Sequence, residues 1–170
     1  MKQAVAVIRS IREEPGHPVY LNADHMRDLK KVEEAAKAGY DSIIFDGAAF
    51  QFEENIRKTK KAVETAKSIK PDVLVEGEVG YIGVSSKLLD ELPKGAVIRE
   101  EDMTTPEEAR QFVEETGVDL LAPAVGEIHG MMKSAKNPNL NIERIASIKG
   151  AVSTPLVLHG GSGVSDEDFV

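Results

Sequence analysis

Three of the four histidines in this chain close an apolar run or the turn just after it. His25 ends Leu21-Asn22-Ala23-Asp24-His25, His129 ends Val125-Gly126-Glu127-Ile128-His129, and His159 ends Leu156-Val157-Leu158-His159. If these runs are parallel strands, their carboxyl ends share one rim, and α/β folds bind ligands on that rim. Three neutral imidazoles meeting there with an open fourth position form the ligand set of a catalytic zinc, a Lewis acid toward substrate oxygen. A single strand-end histidine is more often a hydrogen-bonded structural residue; the joint placement of three raises the metal reading. His17 precedes Pro18 at the other end of its strand and is expected at the surface.

Carboxylates repeat the pattern. Asp24 precedes His25, Asp46 ends Ile43-Ile44-Phe45-Asp46, and Glu76 and Glu78 end Val73-Leu74-Val75-Glu76-Gly77-Glu78. Side chains alternate along a strand, so Glu76 and Glu78 share a face, whereas Asp24 and His25 cannot both point inward unless the strand bends. Asp46 fits a cap for the next helix as well as a site residue. Several carboxylates beside a dication read as ligands, supporting groups or proton acceptors. The run His159-Gly160-Gly161-Ser162-Gly163, followed by Ser165-Asp166-Glu167-Asp168, offers backbone N–H groups and an expected helix start to an anion such as phosphate.

The elements that must position these residues read as alternating β and α. Short apolar runs bounded by Gly, Pro, Asp or Asn at 18–21, 42–45, 73–75, 120–125 and 155–158 suit buried parallel strands, with Pro123 costing one ladder donor. Helical spacing is expected over residues 1–13, 28–38 and 53–69, and Thr105-Pro106-Glu107-Glu108 starts another helix that Gly117 ends. Residues 80–104 form the one long irregular connection, the kind that serves as a mobile lid. The fold class is α/β with a parallel sheet, barrel or doubly wound. No Gly-x-Gly-x-x-Gly turn or Walker loop follows a strand, which lowers a nucleotide-binding reading.

Composition narrows the classes. With 21 Lys+Arg against 29 Asp+Glu, the net charge is −8, and no basic run exists to meet nucleic acid or an anionic membrane. At 41% hydrophobic the chain is too apolar for a disordered polymer, it has no cysteine and no membrane-length apolar stretch, and its start, Met1-Lys2-Gln3-Ala4, is not expected to act as a cleavable leader. A cytoplasmic soluble protein is expected.

The strings Asp24-His25, Ser42-Ile43-Ile44-Phe45-Asp46-Gly47, Phe52-Glu53-Glu54-Asn55-Ile56, Val75-Glu76-Gly77-Glu78-Val79-Gly80, Thr105-Pro106-Glu107-Glu108-Ala109, His129-Gly130 and Pro155-Leu156-Val157-Leu158-His159-Gly160-Gly161-Ser162-Gly163 resemble, in order, the class II metal-dependent fructose-bisphosphate aldolases and their tagatose-bisphosphate relatives. The match runs from Pro18 onward. It implies a TIM (β/α)8 barrel, a zinc held by His25, His129 and His159, and reversible cleavage of a ketose bisphosphate into dihydroxyacetone phosphate and an aldehyde, glyceraldehyde 3-phosphate for the fructose substrate. Asp24 matches the residue that exchanges a proton with the C4 hydroxyl. Asp46 and Glu78 match an alternative or second metal position, with Glu76 in support. Gly130, Gly160, Gly161 and Ser162 match the backbone that holds the phosphorylated triose end and a monovalent cation. A homo-oligomer, dimer or tetramer, is implied too.

Departures from the family pattern are specific. Asn22 stands where a histidine is usual, and Gly83 is followed by Val84-Ser85-Ser86-Lys87 instead of acidic residues. The loop carboxylate that shuttles the C3 proton therefore has no aligned counterpart, and Asp90, Glu91, Glu100, Glu101 and Asp102 remain candidates. A whole (β/α)8 barrel takes about 250 residues at roughly 30 per βα unit. The 170 residues are accordingly read as one partial barrel domain, strands 3 to 7, without counterparts for the first two strands and the last. The alternatives are a non-catalytic aldolase-like subunit or inactive fragment, and a zinc-dependent hydrolase on a similar barrel.

Overall fold

A computed structural model describes residues 1–12, 16, 18–84, 87–96 and 98–169 of the chain. His17 and the Ser85-Ser86 pair lie outside the described residues.

The helices form where their stop and start signals sit. After α1 (Lys2–Arg12) and β1 (Asn22–Met26), α2 (Leu29–Ala38) is capped by the Asp28 carboxylate on Lys31 N–H, and closes at Gly39 with φ 93°. Next come β2 (Ser42–Phe45), α3 (Phe52–Ile69), β3 (Leu74–Val79) and a two-residue β4 (Leu88–Leu89). The capping box read at Thr105 and Glu108 is present at α4 (Pro106–Thr116), which ends at Gly117 with φ 70°. The chain continues through β5 (Leu120–Pro123), β6 (Met131–Met132) and α5 (Ile142–Ala151). No helix among the described residues is long and apolar enough to cross a membrane.

The main sheet is parallel in the order β1-β2-β3-β5, and the residues after α5 join it only through a bridge between Leu121 and Leu156. One face packs on the helices, which touch in sequence from α2 to α5. Gly77 looks toward α4, where a Cβ would sit 2.7 Å from the Phe112 ring, and Val75 and Val79 join the same hydrophobic core. By strand alternation Glu76 and Glu78 point to the other face.

Strand boundaries differ from the sequence reading, each for a backbone reason. The first strand begins at Asn22, not at residue 18, because Pro18 has no N–H and Arg12 claims the Val19 carbonyl. The third extends to Val79, so Glu76 and Glu78 lie within it. The strand at 120 stops at Pro123, where the ladder loses its donor. Residues 155–158 form a bridge instead of a full strand. The 80–104 connection is tied down by β4, which pairs in parallel with β6, and by the Asp90–Lys133 ion pair. Helix α5 and the β4–β6 pair are additions to the sequence reading.

Candidate metal centre

Each histidine is set by a local break in regular backbone. In β1 the pairing register with β2 shifts between Ala23 and Met26, and His25 takes φ 48°, the one positive-φ residue other than glycine among the described residues. That bulge supplies the bend the sequence required, turning His25 inward and leaving Asp24 70% exposed. His129 follows the turn at Gly126, and its N–H is donated to the Ile82 carbonyl at 2.8 Å. His159 is followed by Gly160 at φ 67°, where a Cβ would meet the Ile128 carbonyl oxygen at 2.4 Å.

These breaks bring the three rings together. Centroids lie 4.9 Å apart for His25 and His129, 5.1 Å for His25 and His159, and 5.7 Å for His129 and His159. Neighbouring carboxylates fix which nitrogens stay available. His25 Nδ1 donates to Asp46 Oδ2 at 3.2 Å and lies 3.0 Å from Glu78 Oε1, while His159 Nε2 donates to Glu76 Oε1 at 2.6 Å. Carboxylate-backed imidazoles of this kind present the opposite nitrogen to a metal, which leaves His25 Nε2 and His159 Nδ1. His129 Nε2 and Glu78 Oε1 are buried with no aligned hydrogen-bond partner among the described residues. An orphaned imidazole nitrogen beside two carboxylate-oriented rings is the donor set a divalent cation completes. A second group, His25 with Asp46 and Glu78, also has its ligand atoms within 4.8 Å of one another.

Charge reinforces the cluster. The hydrogen bond to Asp46, then the close approach of the Glu78 carboxylate, lifts His25 to about 10. Burial pushes the Asp46 carboxyl up, but the bonds from His25 and Arg27 outweigh it and bring the group down to about 2. Burial also raises Glu78, and lowers His129 together with the charges of its two imidazole neighbours. For His159, burial is overcome by the bond to Glu76, and the ring is raised.

The other expected positions divide. Asp46 is no helix cap: the N-cap position of α3 is Gln51, whose side chain makes no capping bond, and Asp46 instead meets His25. Gly130, buried at φ 112°, presents its carbonyl to Asn137 Nδ2 at 2.8 Å. Gly161 and Ser162 sit exposed in a short 3-10 turn. The helix expected after them is only another 3-10 turn, Asp166–Phe169, so no long helix dipole faces that loop, a correction to the sequence reading. Asp90 is engaged by Lys133, and Asp102, held by Arg99 at 2.7 Å, lines a cleft beside Asp46.

Sequence reasoning passed over three residues here. Arg27 Nε donates to Asp46 Oδ2 at 2.8 Å; its only signal was its place two residues beyond His25. Asn55 donates to the Glu78 carbonyl at 2.7 Å and accepts from Thr59, which pins the end of β3 and gives the Phe-Glu-Glu-Asn-Ile string a physical role. Glu127, two residues before His129, is pushed up to about 7 by burial.

A profile of the family described as fructose-bisphosphate aldolase class-II matches residues 1–170. Over 152 residues the chain is 41% identical to YdjI of Escherichia coli, covering 89% of this chain and 51% of that protein. The crystal structure of that protein, described as the YdjI aldolase, superposes with TM-score 0.77 over 98% of this chain and 54% of its own. A fructose-bisphosphate aldolase of Helicobacter pylori is 39% identical, covering 96% of this chain and 51% of its own. A 6-phospho-5-dehydro-2-deoxy-D-gluconate aldolase of Shouchella clausii is 38% identical, covering 97% and 53%. The chain thus spans about half the length of the curated relatives it matches.

Proposed function

Because this chain belongs to the class II fructose-bisphosphate aldolase family, we propose that it is a zinc-dependent ketose-bisphosphate aldolase, cleaving fructose 1,6-bisphosphate reversibly to dihydroxyacetone phosphate and glyceraldehyde 3-phosphate. The observation that carries this reading is the convergence of three imidazoles around the buried, unpartnered Nε2 of His129. His25, His129 and His159 would hold the zinc. When bound, that ion supplies a Lewis acid that draws charge from the substrate carbonyl.

The chain's own groups divide the remaining work. Glu76 and Asp46 orient His159 and His25 through the nitrogens turned away from the metal. Asp24, exposed beside the cluster with Oδ1 3.9 Å from His25 Nε2, takes the C4 hydroxyl proton as the C3–C4 bond breaks and C4 becomes the aldehyde carbon. In the condensation direction the same carboxyl returns it. Gly130, Gly160, Gly161 and Ser162 hold the phosphorylated triose end with a monovalent cation, and His25, Asp46 and Glu78 form the alternative or second metal position. The parallel sheet, with its ligands on the rim, is read as strands 3 to 7 of a (β/α)8 barrel, and the protein as a homo-oligomer.

The test is a coupled assay for fructose 1,6-bisphosphate cleavage, before and after chelation and with zinc restored, with tagatose 1,6-bisphosphate run in parallel. Chelation abolishes turnover and zinc restores it. Turnover indifferent to chelator overturns the mechanism, and zinc binding without cleavage of either sugar points to the non-catalytic subunit.

A further inference from the structure

The pairing of β5 with β3 runs to Pro123, and the Ala124 N–H still reaches the Val79 carbonyl at 2.8 Å. Val125, 2% exposed, comes next and has left the ladder. A buried N–H needs an acceptor, and here a side chain supplies it: Glu127 Oε2, two residues ahead, accepts the Val125 N–H at 2.9 Å. That bond closes the bend at Gly126, where φ is 114° and a Cβ would meet the Asn139 carbonyl oxygen at 2.6 Å. His129 stands two residues beyond.

Glu127 is itself 2% exposed, and among the described residues no lysine or arginine pairs with it. A carboxylate buried without a cation opposes folding, and an apolar side chain of similar size would cost less. Stability therefore does not account for it. The three imidazoles differ in a matching way. Asp46 and Glu76 hold the rings of His25 and His159, whereas among the described residues no carboxylate hydrogen-bonds the ring of His129, whose Nε2 is buried without a partner. What directs that ring is the backbone around it: its own N–H on the Ile82 carbonyl, the Ile128 carbonyl packed against Gly160, and the bend that Glu127 closes.

We propose that Glu127 is the positioning residue of His129, aiming through the backbone the one imidazole of the three that no carboxylate holds by its ring; the inference rests on the ligand set His25, His129 and His159 above. Glu127 belongs to neither group of potential metal ligands, so it acts through His129 and not on the ion. The hydrogen bond to Val125 carries the effect. An amide that keeps a carbonyl oxygen in the same place keeps the aim, and an apolar side chain of similar length loses it.

The test compares Glu127→Met with Glu127→Gln in the full chain by zinc competition against a chelating dye. Glu127→Met weakens zinc binding at least about tenfold, the scale of a lost supporting contact, and Glu127→Gln stays within about threefold of wild type. Urea unfolding of the metal-free protein separates aim from folding: with a buried, unpaired carboxylate removed, Glu127→Met is at least as stable as wild type, so its lost affinity is not lost structure. Cobalt(II) taken up in place of zinc reports the ligands directly. The visible spectrum of Glu127→Met should move to that of His129→Ala, while Glu127→Gln keeps the wild-type bands. Wild-type zinc affinity in Glu127→Met overturns the proposal. So does a Glu127→Gln protein as weak as Glu127→Met, since the charge and not the hydrogen bond would then be responsible. If Glu127→Met also loses stability, the cobalt spectrum decides, and unchanged bands refute the inference. If the wild-type chain takes up neither ion, the metal reading fails separately, and the His129 ring signals in NMR of the metal-free protein decide. Signals displaced in Glu127→Met and restored in Glu127→Gln support the inference, and unmoved signals refute it.

Discussion

On the proposed ligand set, metal uptake at this cluster would displace a proton. His25, held at about 10 chiefly by its bond to Asp46, is charged at neutral pH in the metal-free protein, and a ligating imidazole is neutral. Zinc affinity therefore rises with pH, by about tenfold per unit for that one proton, until the pH passes the His25 value. Zinc titrations in buffers of different ionisation enthalpy should show proton release near pH 7; heats that do not depend on the buffer would contradict the assignment. The sign for folding without metal is the reverse. A histidine raised above its ordinary 6.5 contributes stability that is fully present below that value and fades as pH rises toward about 10. His129 is the proposed ligand without a carboxylate behind it, and its Nε2 has no hydrogen-bond partner among the described residues. His129→Ala should lose the metal, read by elemental analysis after dialysis, and full occupancy in that variant would sink the site. At this scale the sequence was legible wherever residue type and strand-end position coincide, as in the three histidines and Glu76 and Glu78. Arg27 and Glu127 were not, because burial and partnership across elements leave no local pattern in the chain.

At the scale of elements, two hydrogen-bonding devices of similar cost do different jobs. Thr105 closes the capping box of α4 and touches none of the three histidines, and Thr105→Ala should lower stability by about 1 kcal/mol in urea unfolding without changing zinc content. Asn55 reaches from α3 to the Glu78 carbonyl at 2.7 Å and is buried at both ends of its amide. Asn55→Ala leaves that carbonyl without its donor, at a cost of about 1–3 kcal/mol. It should weaken zinc binding too, because the end of β3 carries Glu78 and, two residues earlier, Glu76. A variant destabilised to that extent with wild-type zinc affinity would show that β3 is aimed by something else. Helices α2 and α4 could be read from sequence because their caps are local, Asp28 on Lys31, Thr105 on Glu108, Gly39 and Gly117 in left-handed conformation, whereas α5 escapes the sequence reading although its Asn141 cap on Arg144 is equally local. Strand limits depend on which neighbour offers a donor, so they moved by several residues at Asn22 and Val79. The β4–β6 pair joins residues some forty positions apart and has no periodic signal at all.

Across the whole molecule, the histidines report on the shape of the sheet. His25 leaves β1 at one margin, while His159 follows the segment bridged at Leu156 beyond β5 at the other. Four strand spacings of about 4.8 Å separate them, roughly 19 Å in a flat sheet, yet their ring centroids are 5.1 Å apart. The sheet must curl toward the face that carries Glu76 and Glu78, with the helices outside, and a metal held by all three rings ties its two margins together. Those margins are also its weakest parts. β2 and β3 pair on both sides, whereas among the described residues β1 pairs on one, and residues 155–158 are held by a single bridge. Zinc binding should therefore slow amide hydrogen exchange most at 22–26 and 156–159 and change little at 43–45 and 75–79, which are already protected. Protection spread evenly over the sheet would mean that the metal stabilises the fold globally without bridging its margins, and no protection at 156–159 would remove His159 from the ligand set.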